Sequence, residues 1–140
     1  LIGSRLYASD EAAVHQNFKA GAVAANGDDT VRSRVLDIMY HPLMPWPERY
    51  NVRTVRSEIN ETWHGREREL REAVEADPEF GGEPFEGLAT GDARVVGAIV
   101  GEAAGLIRGI ATAGSIIETL VAEAEAVLRE KAPTWLSDRL

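Results

Sequence analysis

Two pairs of residues carry the clearest chemical signals in this sequence, and each pair begins with a glycine. Gly3-Ser4 follows two apolar residues, as at the carboxyl end of a β-strand. Because glycine lets a ligand approach the backbone and serine adds a hydroxyl, this pair offers hydrogen-bond donors to a phosphate. A turn of the same composition also ends many strands without binding anything. Gly101-Glu102 follows the apolar segment 94–100, and its acid either faces a pocket or caps the following helix.

The other residues that commonly do chemistry are widely separated. His15, His41 and His64 fall in three different predicted elements, without the one-turn spacing of a helical metal site, so we expect no metal. The absence of cysteine excludes disulfides, cysteine-based zinc or iron–sulfur sites, and a cysteine nucleophile. No Gly-x-Ser-x-Gly motif marks a nucleophilic serine. Trp46, in a proline-rich loop, either packs under that loop or forms a lid or interaction surface.

Composition predicts a globular, cytoplasmic protein. The 140 residues are 44% hydrophobic and 27% charged, which suits a single domain. The net charge of −8 argues against a nucleic-acid partner, and no apolar run reaches the roughly 18 residues of a membrane span. We therefore expect neither nucleic acid nor a membrane as a partner. The length also excludes a complete (β/α)8 barrel, which needs about 250 residues.

In the first half of the chain, the sequence predicts a strand end, one helix and one short strand. The strand end and a loop cover residues 1–8, and Ser9 is predicted to cap a helix that stops at Asn26-Gly27. Residues 29–36 alternate apolar and polar side chains, which is the period of a half-buried strand. Three prolines within 41–47 predict an irregular loop.

The second half is predicted to be more helical. Helices are expected over 52–63 and 66–76, and the glycine-rich segment 81–92 is predicted to be a loop. Residues 94–100 fit either a buried strand or the entry to a helix. Thr112 is the expected N-cap of a last, long surface helix that docks through one apolar face. That face carries Ile116, Ile117, Leu120, Val121, Ala124, Val127 and Leu128.

Five separated blocks of the sequence, taken in order, resemble one enzyme family. The blocks are Ile2–Ser9, Asp29–Val35, Pro45–Pro47, Glu61–Glu67 and Gly101–Ile107. Together they resemble the nitronate monooxygenase family, also called 2-nitropropane dioxygenases, which are FMN-dependent (β/α)8 barrel enzymes. The resemblance covers nearly the whole chain, but it corresponds only to the C-terminal part of a family member.

The resemblance implies an α/β fold class, in which this chain is the C-terminal portion of an FMN-binding (β/α)8 TIM barrel. The chain itself would be mainly α-helical with a few short strands. Residues 1–38 would hold the strand end, phosphate loop, helix and short strand, 39–92 a family-specific loop and helical insertion, and 93–140 a pocket-facing turn and the long helix. Gly3 and Ser4 match the pair that holds the FMN phosphate, and Gly101 and Glu102 match a pair facing the flavin and substrate pocket.

The same resemblance implies an activity that this chain does not carry alone. The family's general base lies upstream of the Gly-Ser block, so no catalytic residue is assigned, and none of the three histidines inherits that role. The full enzyme would oxidise alkyl nitronates or nitroalkanes with O2, and this chain would pair with the missing N-terminal barrel portion. The alternatives are an FMN enoyl-acyl-carrier-protein reductase or an NADH:quinone reductase of the same barrel. An alternative of another class is a non-catalytic helical interaction domain.

Overall fold

The computed structural model describes residues 2–41, 45–77, 80 and 82–137, and within them short helices joined by turns surround one pair of strands. The helices are α1 (Gly3–Tyr7), α2 (Gln16–Ala24), α3 (Val35–Tyr40), α4 (Glu58–Trp63), α5 (Glu67–Ala76), α6 (Gly82–Thr90) and α7 (Ala113–Ser137). A 3₁₀ helix spans Glu102–Leu106, and the strands are β1 (Thr30–Arg32) and β2 (Arg53–Val55). The expectation of a mainly helical chain with a few short strands is confirmed.

β1 and β2 form an antiparallel ladder, and the segment 94–100 runs along the other side of β2. There the Val55 amide donates to the Ala98 carbonyl at 2.8 Å. The two backbones are so close that a Cβ at Gly97 would collide with the Val55 carbonyl, which is why this position needs glycine. The segment is neither of the two elements that its apolar run predicted, because it begins in a turn and residues 97–100 have no regular structure although they pair with β2.

The hydrophobic core is built mainly by α3 and α5, with contributions from α2, α4 and the segment after α6. Leu70 of α5 and Val35 of α3 are fully buried. Leu70 and Val74 are four residues apart, so they lie on one face of α5 while its charged residues face solvent. The cluster draws on side chains from Phe18 to Ala104, so all three segments predicted from the sequence share one core.

A buried polar network fixes how the ladder meets α4. Asn60 is 2% exposed, and its side-chain oxygen accepts hydrogen bonds from Thr54 and Ser57, both at 3.0 Å. Its amide nitrogen donates to the Ser33 hydroxyl at 3.2 Å. Because these buried groups satisfy one another, the network specifies one arrangement of the turn after β1, of β2 and of the start of α4.

The start of the chain differs from its prediction. Residues Gly3–Tyr7 form α1 where a strand end and a loop were expected, and Leu1 lies outside the described residues. Tyr7, the last residue of this helix, packs against the core. Tertiary packing therefore outweighs the turn preference of the Gly-Ser pair.

The prediction that Ser9 caps the next helix is wrong. Ser9 is buried and forms an isolated parallel bridge with Ala111, which holds it in an extended conformation. His15 is the cap of α2, because its Nδ1 accepts a hydrogen bond from the Asn17 amide at 3.2 Å. The local sequence could not predict this conformation, because the residue that pairs with Ser9, Ala111, is about a hundred positions away.

The helix α2 ends close to the predicted Asn26-Gly27, but Gly27 does not act as a left-handed helix cap. The helix ends at Ala24, and Gly27 does not have a positive φ. A Cβ at Gly27 would lie 2.9 Å from the carbonyl oxygen of Glu102. Glycine is needed there because the turn packs closely on the 3₁₀ helix.

Two predicted elements divide into shorter ones. The predicted strand over 29–36 contains β1 and then the first turn of α3, and the predicted helix over 52–63 contains β2 and then α4. Each strand is three residues long and its partner is distant in sequence. The periodicity of apolar residues within a short stretch of sequence cannot reveal strands of only three residues.

The loop predicted over 81–92 is largely the helix α6. Pro84 lies in its first turn, where the backbone nitrogen has no partner within the helix in any case. Gly87 packs on the segment that follows, since a Cβ there would lie 3.0 Å from Cγ2 of Val96. Close packing, rather than a turn, explains this glycine.

Two helix predictions are confirmed. α5 occupies almost all of the predicted span 66–76. Thr112 caps α7, because its hydroxyl accepts a hydrogen bond from the Ser115 amide at 3.2 Å. Residues 42–44 of the predicted proline-rich loop lie outside the described residues, and 45–47 have no regular structure.

Candidate functional site

The two glycine-led pairs of the sequence meet in the fold. The Gly101 amide donates to the Ser4 hydroxyl oxygen at 2.8 Å, which joins the first turn of α1 to the start of the 3₁₀ helix. Ser4 uses an oxygen lone pair in this bond, so its hydroxyl hydrogen can donate to another group. An ideal Cβ at Gly3 would meet nothing within 4 Å, so the space beside this residue is open. The pair therefore has both the donor and the room that a phosphate needs.

Glu102, the other predicted pocket residue, is held against β2. Its carboxylate forms an ion pair with Arg53 at 2.6 Å, and Arg53 also donates to the Thr30 hydroxyl at 3.1 Å. The Glu102 side chain is 71% exposed, so we expect this pair to contribute at most about 1 kcal/mol to folding. Its clearer effect is geometric, because it ties the start of the 3₁₀ helix to the ladder.

A pocket of about 450 Å³ opens between α1, the 3₁₀ helix and the first turns of α7. Ser4 lines this pocket, whereas Gly3, Gly101 and Glu102 do not. The structure thus brings the hydroxyl of the predicted phosphate site into a cavity of the size that small ligands use.

Tyr7 anchors α1 to the hydrophobic core. Burial raises the pKa of the Tyr7 phenol above its ordinary value, and a hydrogen bond with the backbone of Ile99 partly offsets that rise. The phenol is therefore neutral at physiological pH. Its contact ties α1 to the segment that runs along β2.

The histidines and acids of the described chain do not assemble a metal-binding cluster. His15 caps α2, His41 is exposed in a turn, and Nδ1 of His64 lies 3.5 Å from a carboxylate oxygen of Glu67. Among the described residues, no group of three or more His, Asp or Glu side chains is placed to hold a metal ion. No helix in that part of the chain is long and apolar enough to cross a membrane.

The proline-rich loop exposes its aromatic side chains. Trp46 is 57% exposed and stacks edge-on against Tyr50, with 6.4 Å between the ring centroids. The guanidinium of Arg49 lies 4.8 Å from the centre of the Tyr50 ring. Of the two alternatives for Trp46, packing beneath the loop is therefore wrong.

Sequence reasoning missed three arginines around this site: Arg5, Arg53 and Arg108. Arg53 meets Glu102 only because β2 pairs with β1, and the ladder itself was not predicted. Arg5 and Arg108 both line the pocket, although they are far apart in the sequence. Only Arg5 could have been found from the sequence, because it directly follows Gly3-Ser4 and a cation beside a phosphate-binding motif can balance the phosphate's negative charge.

The arrangement of short helices around a two-stranded ladder, followed by one long helix, matches part of a TIM-barrel enzyme. Two of the solved structures that match are FabK from Thermotoga maritima, with a TM-score of 0.66, and a mutant of that protein, with a TM-score of 0.60. Each is 23% identical to this chain and the match covers 94% of it. The match covers 38% and 35% of those chains, so this chain spans less than two-fifths of the structures it matches. No protein-family model and no curated protein matches the sequence.

Proposed function

We propose that this chain is part of an FMN-dependent oxidoreductase built on a (β/α)8 barrel. The observation that carries the proposal is the hydrogen bond from Gly101 to Ser4, which unites two motifs 97 residues apart in the sequence. The resemblance implies that the first motif holds the FMN phosphate and that the second faces the flavin and substrate pocket, so a contact between them supports their belonging to neighbouring parts of one site. FabK, an FMN-dependent enoyl-acyl-carrier-protein reductase of the barrel fold, supports the same class of enzyme.

The residues at this site fit the phosphate end of FMN. Ser4 would donate its hydroxyl hydrogen to a phosphate oxygen, and the open space at Gly3 would admit the phosphate close to the backbone. Backbone N–H groups in the first turn of α1 have no acceptor within the helix and would add donors. When bound, FMN supplies the electron or hydride transfer, while the protein orients it and excludes water.

The Gly101 amide has a positioning role in this proposal. By donating to the Ser4 oxygen it fixes the serine side chain, so that the hydroxyl hydrogen is directed to a ligand rather than to the backbone. No residue of this chain is proposed as the catalytic base. Glu102, paired with Arg53, would present a carboxylate near the flavin, as the resemblance implies.

For the substrate, our first candidate is an alkyl nitronate or nitroalkane oxidised with O2, as the resemblance implies. The enoyl-acyl-carrier-protein reductase alternative has equal support, because it is the activity of FabK. An NADH:quinone reductase of the same barrel is the third candidate. We propose the cytoplasm as the location of the enzyme.

The proposed partner of the chain is the remaining N-terminal portion of the barrel. Its support is the long helix α7, whose predicted apolar face is largely uncovered. Ile117 is 42% exposed, Val121 53% and Leu128 60%. Apolar surface of this extent on one helix normally packs against another element.

The cofactor assignment is tested by titrating the purified chain with FMN and with riboflavin, following flavin fluorescence. We expect FMN to bind about tenfold more tightly, because only FMN carries the phosphate. Ser4→Ala should remove most of this preference, whereas Thr90→Ala, on the exposed side of α6, should preserve it. Equal affinity of the parent chain for both flavins would contradict the proposal.

The substrate is decided by assays on the protein as its gene encodes it, including any residues that precede Leu1. Oxygen consumption with a nitronate and no nicotinamide would support the first candidate. Reduction of an enoyl thioester that depends on NADH or NADPH would support the second.

The exposed Trp46 and Tyr50 favour one candidate of another class, a non-catalytic helical interaction domain. Such a domain would melt cooperatively as an isolated monomer, with no change on adding FMN. A rise in melting temperature with FMN would exclude it.

A further inference from the structure

The turn after α2 contains the one Asn-Gly pair of the chain, Asn26-Gly27. In such a pair the backbone nitrogen of the glycine can attack the carboxamide carbon of the asparagine and close a small imide ring. Glycine leaves its own nitrogen unhindered because it has no Cβ. Asn17, Asn51 and Asn60 each precede a residue that has a side chain. Asn26 is therefore the asparagine of this chain whose neighbour favours deamidation most.

The nitrogen atoms that would react are free in the fold. Asn26 is exposed to solvent, so water and bases can reach it. Among the residues that the structure describes, no group accepts a hydrogen bond from the Gly27 amide or from the carboxamide nitrogen of Asn26. Neither the attacking nitrogen nor the leaving nitrogen is therefore held back by a hydrogen bond within the described chain.

The carboxamide oxygen of Asn26, by contrast, is held in place. The Asp28 amide donates to Oδ1 of Asn26 at 2.8 Å, and the Asn26 amide donates to the Asp29 carboxylate at 2.9 Å. Negative charge develops on Oδ1 when the carboxamide carbon is attacked. An N–H group already directed at this oxygen stabilises that charge, as the donors of an oxyanion hole do in acyl transfer.

We propose that Asn26 is a site of spontaneous deamidation, and that its modification loosens the turn beside Glu102. The Gly27 nitrogen loses its proton to a base in solution and bonds to the carboxamide carbon of Asn26. The bond from that carbon to Nδ2 then breaks, and Nδ2 takes up a proton and leaves as ammonia. Water opens the resulting succinimide at either of its carbonyls, so that position 26 becomes aspartate or isoaspartate. Water is the only reactant consumed.

The turn is linked to Glu102 by a chain of hydrogen bonds. The Thr30 hydroxyl donates to the Gly27 carbonyl at 2.7 Å and accepts from Arg53 at 3.1 Å. Arg53 in turn pairs with the Glu102 carboxylate at 2.6 Å. A Cβ at Gly27 would lie 2.9 Å from the Glu102 carbonyl oxygen, so the turn and the 3₁₀ helix are in close contact. An isoaspartate inserts an extra carbon atom into the main chain of the turn, which must then shift against that helix.

The reaction is tested by incubating the full chain in mildly alkaline buffer and following each asparagine by peptide mass spectrometry. We expect Asn26 to convert at least about tenfold faster than Asn51, which is also exposed but precedes Val52. The same incubation in urea gives the rate for the unfolded chain. We expect the folded chain to react at least as fast, because the Asp28 amide stabilises the developing charge. Slower reaction of Asn26 in the folded chain would overturn the proposal.

The structural consequence is read from amide NMR spectra of the purified isoaspartyl chain. We expect the signals of Arg53 and Glu102 to shift and that of Leu70 in the core to stay in place. The matched control is Asn26→Asp, which adds the same charge and keeps an acceptor for the Asp28 amide without lengthening the main chain. It should shift these signals less. Equal shifts in the two chains would contradict the loosening of the turn. Neither measurement uses FMN, so both are independent of the proposed cofactor site.

Discussion

The ladder region and the last helix treat their apolar side chains in opposite ways. Around β1 and β2, Leu70 and Val35 are fully buried and even the polar Asn60 is enclosed and paired. On α7, Ile116 is buried, but Leu128 on the same predicted face is 60% exposed. The difference teaches that the ladder region has its packing partners within this chain, while α7 leaves much of its apolar face uncovered by the described residues.

The largest expected effect is the loss of stability when a core residue of the ladder region is truncated. Leu70→Ala should lower the free energy of unfolding by about 2–5 kcal/mol, because it leaves a cavity in a fully buried site. Leu128→Ala, the matched change on α7, should alter it by less than about 0.5 kcal/mol. Urea unfolding of the two variants measures both. A loss near 2 kcal/mol from Leu128→Ala would mean that α7 is already covered in the isolated chain.

A smaller effect is expected from the polar network. Asn60→Ala removes the partner of three buried hydroxyls and should cost about 1–3 kcal/mol. Asn17→Ala is the control, since Asn17 is exposed and, among the described residues, its side chain donates only to the Gly91 carbonyl. Comparable losses from both variants, measured by the same unfolding titration, would show that burial does not distinguish these two asparagines.

The smallest effect depends on pH. Burial raises the pKa of the Asp37 carboxyl above its ordinary 3.8, although the Val52 amide donates to it at 3.1 Å. The folded chain thus binds this proton more tightly than the unfolded chain, and the contribution of Asp37 to stability falls as the pH rises through the folded pKa.

Asp37→Asn keeps an acceptor for Val52 and removes the charge. The stability of the variant relative to the parent should therefore increase between pH 3 and pH 7, by less than about 1 kcal/mol. Unfolding titrations at several pH values measure this difference. A difference that stays constant with pH would contradict the assigned direction.

The sequence predicts elements well where local pattern and tertiary packing agree. In α5, Leu70 and Val74 define a buried face and charged residues surround them, so the predicted and observed spans nearly coincide. Prediction from the sequence fails where contact with a residue in another element determines the local conformation. The glycines of α6 suggested a loop, yet position 87 requires a glycine because Val96 packs against it within a helix.

The candidate site shows the same division. Gly3-Ser4 and Gly101-Glu102 could be found as motifs, because each carries a local chemical signal. Their hydrogen bond could not, since it depends on how α1 and the 3₁₀ helix are packed. Arg108 was missed for a similar reason, because its relation to Ser4 exists only in the folded pocket.

The hydrogen bond between Gly101 and Ser4 also sets an order of events during synthesis. The two residues are 97 positions apart, and the contact from Ala113 to Glu11 spans 102. At about 5–20 residues per second, a ribosome needs about 5–20 seconds to make that intervening chain. Throughout this interval α1 has no partner in the 3₁₀ helix or in α7. The contact between α1 and the 3₁₀ helix therefore forms only after all of the intervening chain, including β1, β2 and α5, has been made.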